Sequence, residues 1–554
     1  MRVLGDPPDR FQDDNPRRPS TLRRMLPLRA LPVAGDGAML PTTLLLRWLA
    51  SAPDEVELAD LPWLNGSLPA LLRLGGVGRI TIHQRLTVPA LQWDGLGGGR
   101  VMVNDGGDEL PVHHGGLPAG AWPPATGADD LHAAIELARL EDANAVMGIG
   151  SGAAWGALVA QALAGTASHP LPLSARGGRG ASGFSAWNPL PFARRAVVAM
   201  PLPDARAPWS LVHPASGATY PAQVVEGPVG RELLVEVPLG ALAGVRLEPA
   251  DEPAAGPAWE VSEDVLDNGL VRAEFDVFGQ VQRLCFAGTF VEVAGPLVRP
   301  ALEGVPLGGS PAMVRVLEDG PVRARVAVAR DTGAGMLHVI YTLHAHEALL
   351  RVNIAWDGDA SADRAIEHPT ALRHHDLLVA GELASERREQ AASVLRPMPV
   401  ATHGCRWAAL SDGHGGGLVA LAERPFAASA RGGTLALSGG RGVLAYALGD
   451  FASTDPARAA LALAVPGRAS SAESDLMTPL RLAGGEGVAP LWIRRPDDAA
   501  AELLLVEQRM RRARLWLQPV RPVAAAWRVD ARGRRLAEVA RTPDGDLQID
   551  LNPG

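Results

Sequence analysis

From residue 181 to residue 451 the chain is a succession of strand-length segments, apolar or alternating, cut at short intervals by turn residues. Ala196-Val-Val-Ala-Met-Pro201, Glu232-Leu-Leu-Val-Glu-Val237, Leu270-Val-Arg-Ala-Glu-Phe275, Ala324-Arg-Val-Ala-Val-Ala329 and Leu337-His-Val-Ile-Tyr-Thr-Leu-His344 are the clearest. Segments of this length, bounded by turn signals, suit strands better than helices. The pairs Asn268-Gly269, Asp319-Gly320 and Asp412-Gly413 supply hairpin or tight-turn chemistry. Such a pattern calls for antiparallel sheets stacked in sandwiches. The 62 glycines and 47 prolines, spread along the chain, favour many turns between short strands over long helices.

At 554 residues the chain is too long for one core, so three or four domains are expected. Residues 1–31 are rich in Pro, Asp and Arg and read as a disordered leader, since they cannot bury enough apolar surface to offset their ordering entropy. Residues 32–115 change character. Helices are expected at 40–51 and 68–74, the second with Ser67 as N-cap and Pro69 in its first turn, followed by a strand at 79–83 and another after the turn at 92–99. That order is a piece of an α/β domain. Residues 116–180 are expected to hold two Ala-rich helices (129–145 and 153–164) and a Gly-rich linker at 174–183. A small β domain (181–258), a large β-sandwich (259–483) and a C-terminal β module (484–554) complete the division. Within the last, residues 502–517 fit strand or helix on pattern alone.

The net charge of −9 argues against nucleic-acid binding, and all 52 basic residues are arginine. No apolar run approaches the roughly 20 residues of a membrane helix. Prolines and Arg29 interrupt any signal-peptide core near the start. Two cysteines, Cys285 and Cys405, form no disulfide framework and fit a reduced cytoplasm as buried, inert thiols.

Four segments, in order, resemble the C-terminal half of glycoside hydrolase family 38, the α-mannosidases. They are Asn188-Pro-Leu-Pro-Phe192 with Arg194, Leu266-Asp-Asn-Gly-Leu-Val-Arg-Ala-Glu-Phe-Asp276 with Gly279, Tyr341-Thr-Leu-His344 with Leu350-Arg-Val-Asn-Ile-Ala-Trp-Asp357, and Arg406-Trp407 through Gly417-Leu-Val-Ala420. Near the start, Leu58-Ala-Asp-Leu-Pro-Trp-Leu-Asn-Gly-Ser-Leu-Pro-Ala-Leu-Leu72 resembles the segment whose Asp is both nucleophile and zinc ligand in that family. Asp60 falls on that position. The resemblance implies an α+β multidomain fold: a truncated α/β catalytic remnant, a short helical linker, then galactose mutarotase-like antiparallel β-sandwiches. It implies a retaining, zinc-dependent hydrolase of α-mannosides, with Asp60 as nucleophile and, with His113, as zinc ligand. Its partner would be carbohydrate, an α-mannoside or another glycan.

The chain also departs from that family. The His-x-Asp pair that supplies two zinc ligands has no counterpart, because no histidine precedes His83. Pro62 and Trp63 replace an aromatic-Gly pair, and no segment matches the one carrying the acid/base. The alternative is therefore a catalytically inactive homologue that binds glycans or a partner protein. A half-enzyme completed by another subunit, or a homo-oligomer, fits the same departures.

Other candidates are weaker. The neighbours His113 and His114 point in different directions on a strand. His344 and His346 share one strand face at i and i+2, which suits a metal, but surface histidines are the plainer reading. His374, His375, Asp376 and His414 read as loop residues without partners. Asp129, Asp130 and Glu141 read as solvated charges. Met147-Gly-Ile-Gly-Ser-Gly152 follows no clear strand and gives no nucleotide loop.

Overall fold

In the computed structural model, the chain is described from Phe184 to Asn552 apart from short stretches, the longest being 390–401 and 471–479; before Phe184 only the backbone of short strands is described. The expected helices at 40–51, 68–74, 129–145 and 153–164, and the linker at 174–183, lie outside the described residues.

Among the described residues the fold is mostly antiparallel β. The first module is a seven-stranded sheet. Its order is Arg194–Pro201, Gly230–Leu239, Thr219–Gly227, Ser210–Val212, Gly244–Ala250, Phe184–Trp187 and, from far along the chain, Arg468–Ser470. Val198, Val235, Val237 and Leu247 form its core.

The second module is a sandwich of a five-stranded and a thirteen-stranded sheet. Alternation does the work that the sequence promised. Along Arg323–Asp331 and Leu350–Trp356 buried positions alternate with half-buried or exposed ones, and the buried set faces the partner sheet. Val271, Phe275 and Leu284 meet Val326, Tyr341 and Val352 in one continuous core.

The C-terminal module packs a four-stranded sheet on a five-stranded one, with Leu503, Leu505, Leu515 and Ile549 between them. Residues 502–517, open on pattern, are the end of Ala500–Glu507 and most of Ala513–Pro519, two strands separated by a turn. Within the expected leader, Arg2–Leu4 and Arg24–Leu26 are strands, and the former pairs parallel with Ala500–Glu507 and Trp527–Val529.

One helix inside the large sandwich was not anticipated. Pro456–Ala464 starts with Asp455 as N-cap and proline in the first turn, a start signal that was readable. Its Leu461 and Ala464 pack on Leu190 and Phe192, and its Ala460 and Leu463 pack on Trp407 and Phe451. It therefore joins the first module to the second.

The N-terminal part contains a six-stranded sheet ordered Arg24–Leu26, Glu55–Ala59, Arg79–His83, Arg100–Val103, Leu91–Asp94, Val112–His114. The first three junctions are parallel, as in an α/β piece; Leu91–Asp94 runs antiparallel to Arg100–Val103. The segment read as a turn at 92–99 thus opens with a strand.

The four segments that carried the resemblance are anchor points of the β half. Asn188 is fully buried and uses its whole amide. Its Nδ2 donates to the carbonyls of Phe192 (2.7 Å) and Gly240 (2.9 Å), and its Oδ1 accepts from Leu190 N (3.1 Å) and Arg194 Nε (2.9 Å). Arg194 then donates to Ala462 O of the helix at 2.8 Å. Asn268 closes its own turn through Leu270 N and Val271 N and donates to the carbonyls of His344 (2.7 Å) and Glu347 (3.0 Å). The buried Tyr341 hydroxyl donates to Gly279 O at 3.0 Å. At Gly417, φ is 139° and an added Cβ would sit 1.9 Å from Leu410 O, so only glycine fits.

His368 gives the core a pH dependence. It is fully buried, and its Nδ1 accepts from Val298 N at 3.2 Å, which requires that nitrogen to be unprotonated. Burial pushes the imidazole down to about 3 from the usual 6.5. Below pH 6.5 the unfolded chain takes a proton that the native state refuses, so stability falls as pH drops. Between pH 7 and 5 the protein is expected to lose about 2 kcal/mol more than a His368→Asn variant, by urea unfolding at each pH. Equal losses in the two proteins would contradict a neutral buried imidazole.

Candidate functional site

Asp60, which follows strand Glu55–Ala59 in sequence, lies outside the described residues. His113 is in strand Val112–His114, with Trp93 as its backbone partner; its side chain, like that of His114, is outside the described residues. Asp129, Asp130, Glu141, residues 147–152, His374 and His375 are also outside them. His414 is an exposed loop residue whose amide closes a turn on Asp412 Oδ1 at 2.7 Å. Asp376, read as a loop residue without a partner, instead opens strand Asp376–Ala380 and pairs with Arg387. Among the described residues no group of three or more His, Cys, Asp or Glu could hold a metal ion. Cys285 and Cys405 form no disulfide, and the first is half-buried and the second buried.

The described charges converge elsewhere, where the first module, the large sandwich and the helix meet around a cavity of about 340 Å³. His344 ends strand Met336–His344, and His346 stands in the turn that follows, so the shared strand face expected of them does not form. Nor is His344 a surface residue: its side chain is 12% exposed. Its Nδ1 lies 3.1 Å from Glu347 Oε2. Arg351, second in the next strand Leu350–Trp356, grips the same carboxylate in two-pronged fashion, Nε to Oε2 at 2.7 Å and Nη2 to Oε1 at 2.8 Å. Burial, the largest single effect, would raise the Glu347 pKa, but the charges of and hydrogen bonds from Arg351 and His344 together outweigh it and hold the carboxyl well below its usual range. Burial, and then the Arg351 charge, push the His344 imidazole down, so it stays neutral at pH 7.

Glu236 reaches the cavity from the first module. Its side chain is 5% exposed, and its Oε2 accepts from His346 N (3.2 Å) and lies 3.1 Å from His346 Nδ1. This pair spans 110 residues of sequence, so no local signal exposes it. On the adjacent strand Arg194–Pro201, Val197 lies directly opposite Glu236 and Arg195 lies opposite Pro238, which puts Arg195 on the same face one step along. Arg195 is exposed, and it makes no hydrogen bond or ion pair among the described residues. Neither Glu236, Glu347 nor Arg351 was singled out from the sequence. The readable hint was the dense run His344, His346, Glu347, Arg351 between two apolar strands.

No protein-family model matches the chain. No curated protein matches it in sequence. Among solved structures it is similar to an alpha-mannosidase from Enterococcus faecalis V583, at 10% identity and a TM-score of 0.60, over 93% of this chain and 89% of that one. A protein in the glycosyl hydrolase family 38 from Enterococcus faecalis matches over the same shares at 10% identity and a TM-score of 0.57. At such identity the likeness speaks for architecture: the chain has the fold of glycoside hydrolase family 38. Among the described residues no helix is long and apolar enough to cross a membrane.

Proposed function

We propose that this chain is a carbohydrate-active protein of the glycoside hydrolase 38 type, directed at an α-mannoside or a related glycan. One observation carries the reading. The likeness in architecture covers 93% of this chain and 89% of an alpha-mannosidase, so it is to most of such a protein and not to one module of it. In its catalytic form the reading makes Asp60 the nucleophile that attacks the anomeric carbon, with a second carboxyl about 5–5.5 Å away as acid/base, and retention of configuration. The large sandwich is read as galactose mutarotase-like.

Zinc fits this picture only by resemblance. A catalytic zinc takes about three protein ligands and an open position. The described donor set offers no such group, and Asp60 and His113 are the only ligands the resemblance assigns.

A second reading is favoured by the sequence departures: a homologue that binds glycans without cleaving them. The test is hydrolysis of an aryl α-mannoside by purified protein with zinc or cobalt added. The catalytic form predicts metal-dependent turnover that falls by roughly three orders of magnitude or more in Asp60→Asn. A folded protein without turnover supports the binding form, which then predicts measurable affinity for α-mannose oligosaccharides.

A further inference from the structure

We propose that the cavity between the first module, the large sandwich and the helix binds a small polyhydroxylated molecule carrying one anionic group, such as a hexose phosphate. The volume, about 340 Å³, lies within the range of small-molecule sites. Two groups point to a ligand. Glu236 is a nearly fully buried carboxylate with only one oxygen engaged; its Oε1 makes no hydrogen bond among the described residues, although it lines the cavity. That oxygen is open to the cavity and available to a donor held there. Arg195 offers the complement, a guanidinium without a protein partner among the described residues, on the same sheet face and toward solvent.

Charge decides which donor Glu236 receives. The lining holds Arg194, Arg195 and Arg351 against Glu236 and Glu347, and His344 is held neutral by burial. Glu347 and Glu423 both act on Arg351, and Arg194 is bonded to Asn188 and Ala462, so among the described residues Arg195 is the lining cation left to draw an anion. Glu236 therefore takes hydroxyl groups, and Arg195 takes the phosphate or carboxylate. Among the described residues the lining includes no Phe, Tyr or Trp, so recognition there rests on hydrogen bonds and charge and not on stacking. The inference does not depend on the chain hydrolysing an α-mannoside.

Calorimetric titration of the full chain at pH 7 tests it, with mannose 6-phosphate, glucose 6-phosphate, glucuronate, mannose and inorganic phosphate as probes. At least one of the three anionic sugars is expected to bind tenfold or more tightly than mannose or phosphate. The phosphate esters and glucuronate separate the two anion sources. Arg195→Ala, a surface change expected to leave the melting temperature unaltered, should weaken that binding about tenfold. Glu236→Gln should weaken it as well, and should do so for mannose 6-phosphate more than for inorganic phosphate. Binding of phosphate alone as tightly as of the sugars, binding indifferent to Arg195→Ala, or no binding of any probe would each overturn the proposal.

Discussion

Replacing Trp407 with alanine is expected to destabilise the protein by about 3–5 kcal/mol. Trp407 is fully buried in strand Thr402–Ser411 and is the largest side chain of its cluster. It packs against Ala460 and Leu463 of the helix and lies 6.4 Å, centroid to centroid, from Phe451. Its indole N–H donates to Gln508 Oε1 at 3.2 Å, and Gln508 Nε2 in turn donates to Gly381 O at 3.1 Å. The substitution leaves a cavity where sandwich, helix and C-terminal module meet, and removes one of the hydrogen bonds that tie Gln508 to the sandwich. Trp407→Phe keeps most of the packing and loses the hydrogen bond, so it should cost less. Trp209 is 63% exposed, and Trp209→Ala should fall within about 0.5 kcal/mol of the parent. Urea unfolding of the three variants checks the ranking. Equal losses at positions 407 and 209 would contradict the packing described.

Glu347→Gln is expected to cost about 2–3 kcal/mol at pH 7. Removing one partner of a fully buried ion pair costs about 3–5 kcal/mol, because the other charge is left desolvated. Here 24% of the Glu347 side chain is exposed, so water relieves part of that cost. The substitution keeps the shape of the side chain and removes the charge, leaving Arg351 without its bidentate partner. Acid should reproduce the effect. The folded-state pKa of Glu347 lies below the usual carboxylate range, so its contribution is present above a pH of about 4.3 and is lost as pH falls below that value. The stability difference between parent and variant should therefore narrow on acidification. A difference that stayed constant from pH 7 to pH 3 would mean that the ion pair contributes nothing.

The β half was legible because its instructions are local. The two-residue period of Arg323–Asp331 needs no distant partner to be read, and neither does an Asx turn such as that of Asn268-Gly269. The resemblance rested on the same kind of residue. Asn188, Asn268, Gly279 and Gly417 close turns, accept a buried hydroxyl or fill places where a side chain cannot fit, so they mark architecture and are silent about reaction. The helix Pro456–Ala464 was missed because its nine residues sit inside a β-rich stretch whose overall pattern dominated, despite a clear Asp-Pro start. The charged cavity was not legible for a different reason. Glu236 and His346 meet only because two modules dock, and a contact between residues 110 apart leaves no periodic trace. His344 carried the right residue type, but its burial depends on that docking.

The placement of Arg468–Ser470 has a consequence for biosynthesis. This strand lies beside Phe184–Trp187 in register, Ser185 opposite Ser470 and Trp187 opposite Arg468, and it completes the first module's sheet. The ribosome delivers it only after the whole large sandwich has emerged. Until then the edge of Phe184–Trp187 stands unpaired, a template for any other strand nearby. The later domain is in effect an insertion into the earlier one, and a nascent chain stalled between the two would be the species most exposed to mispairing.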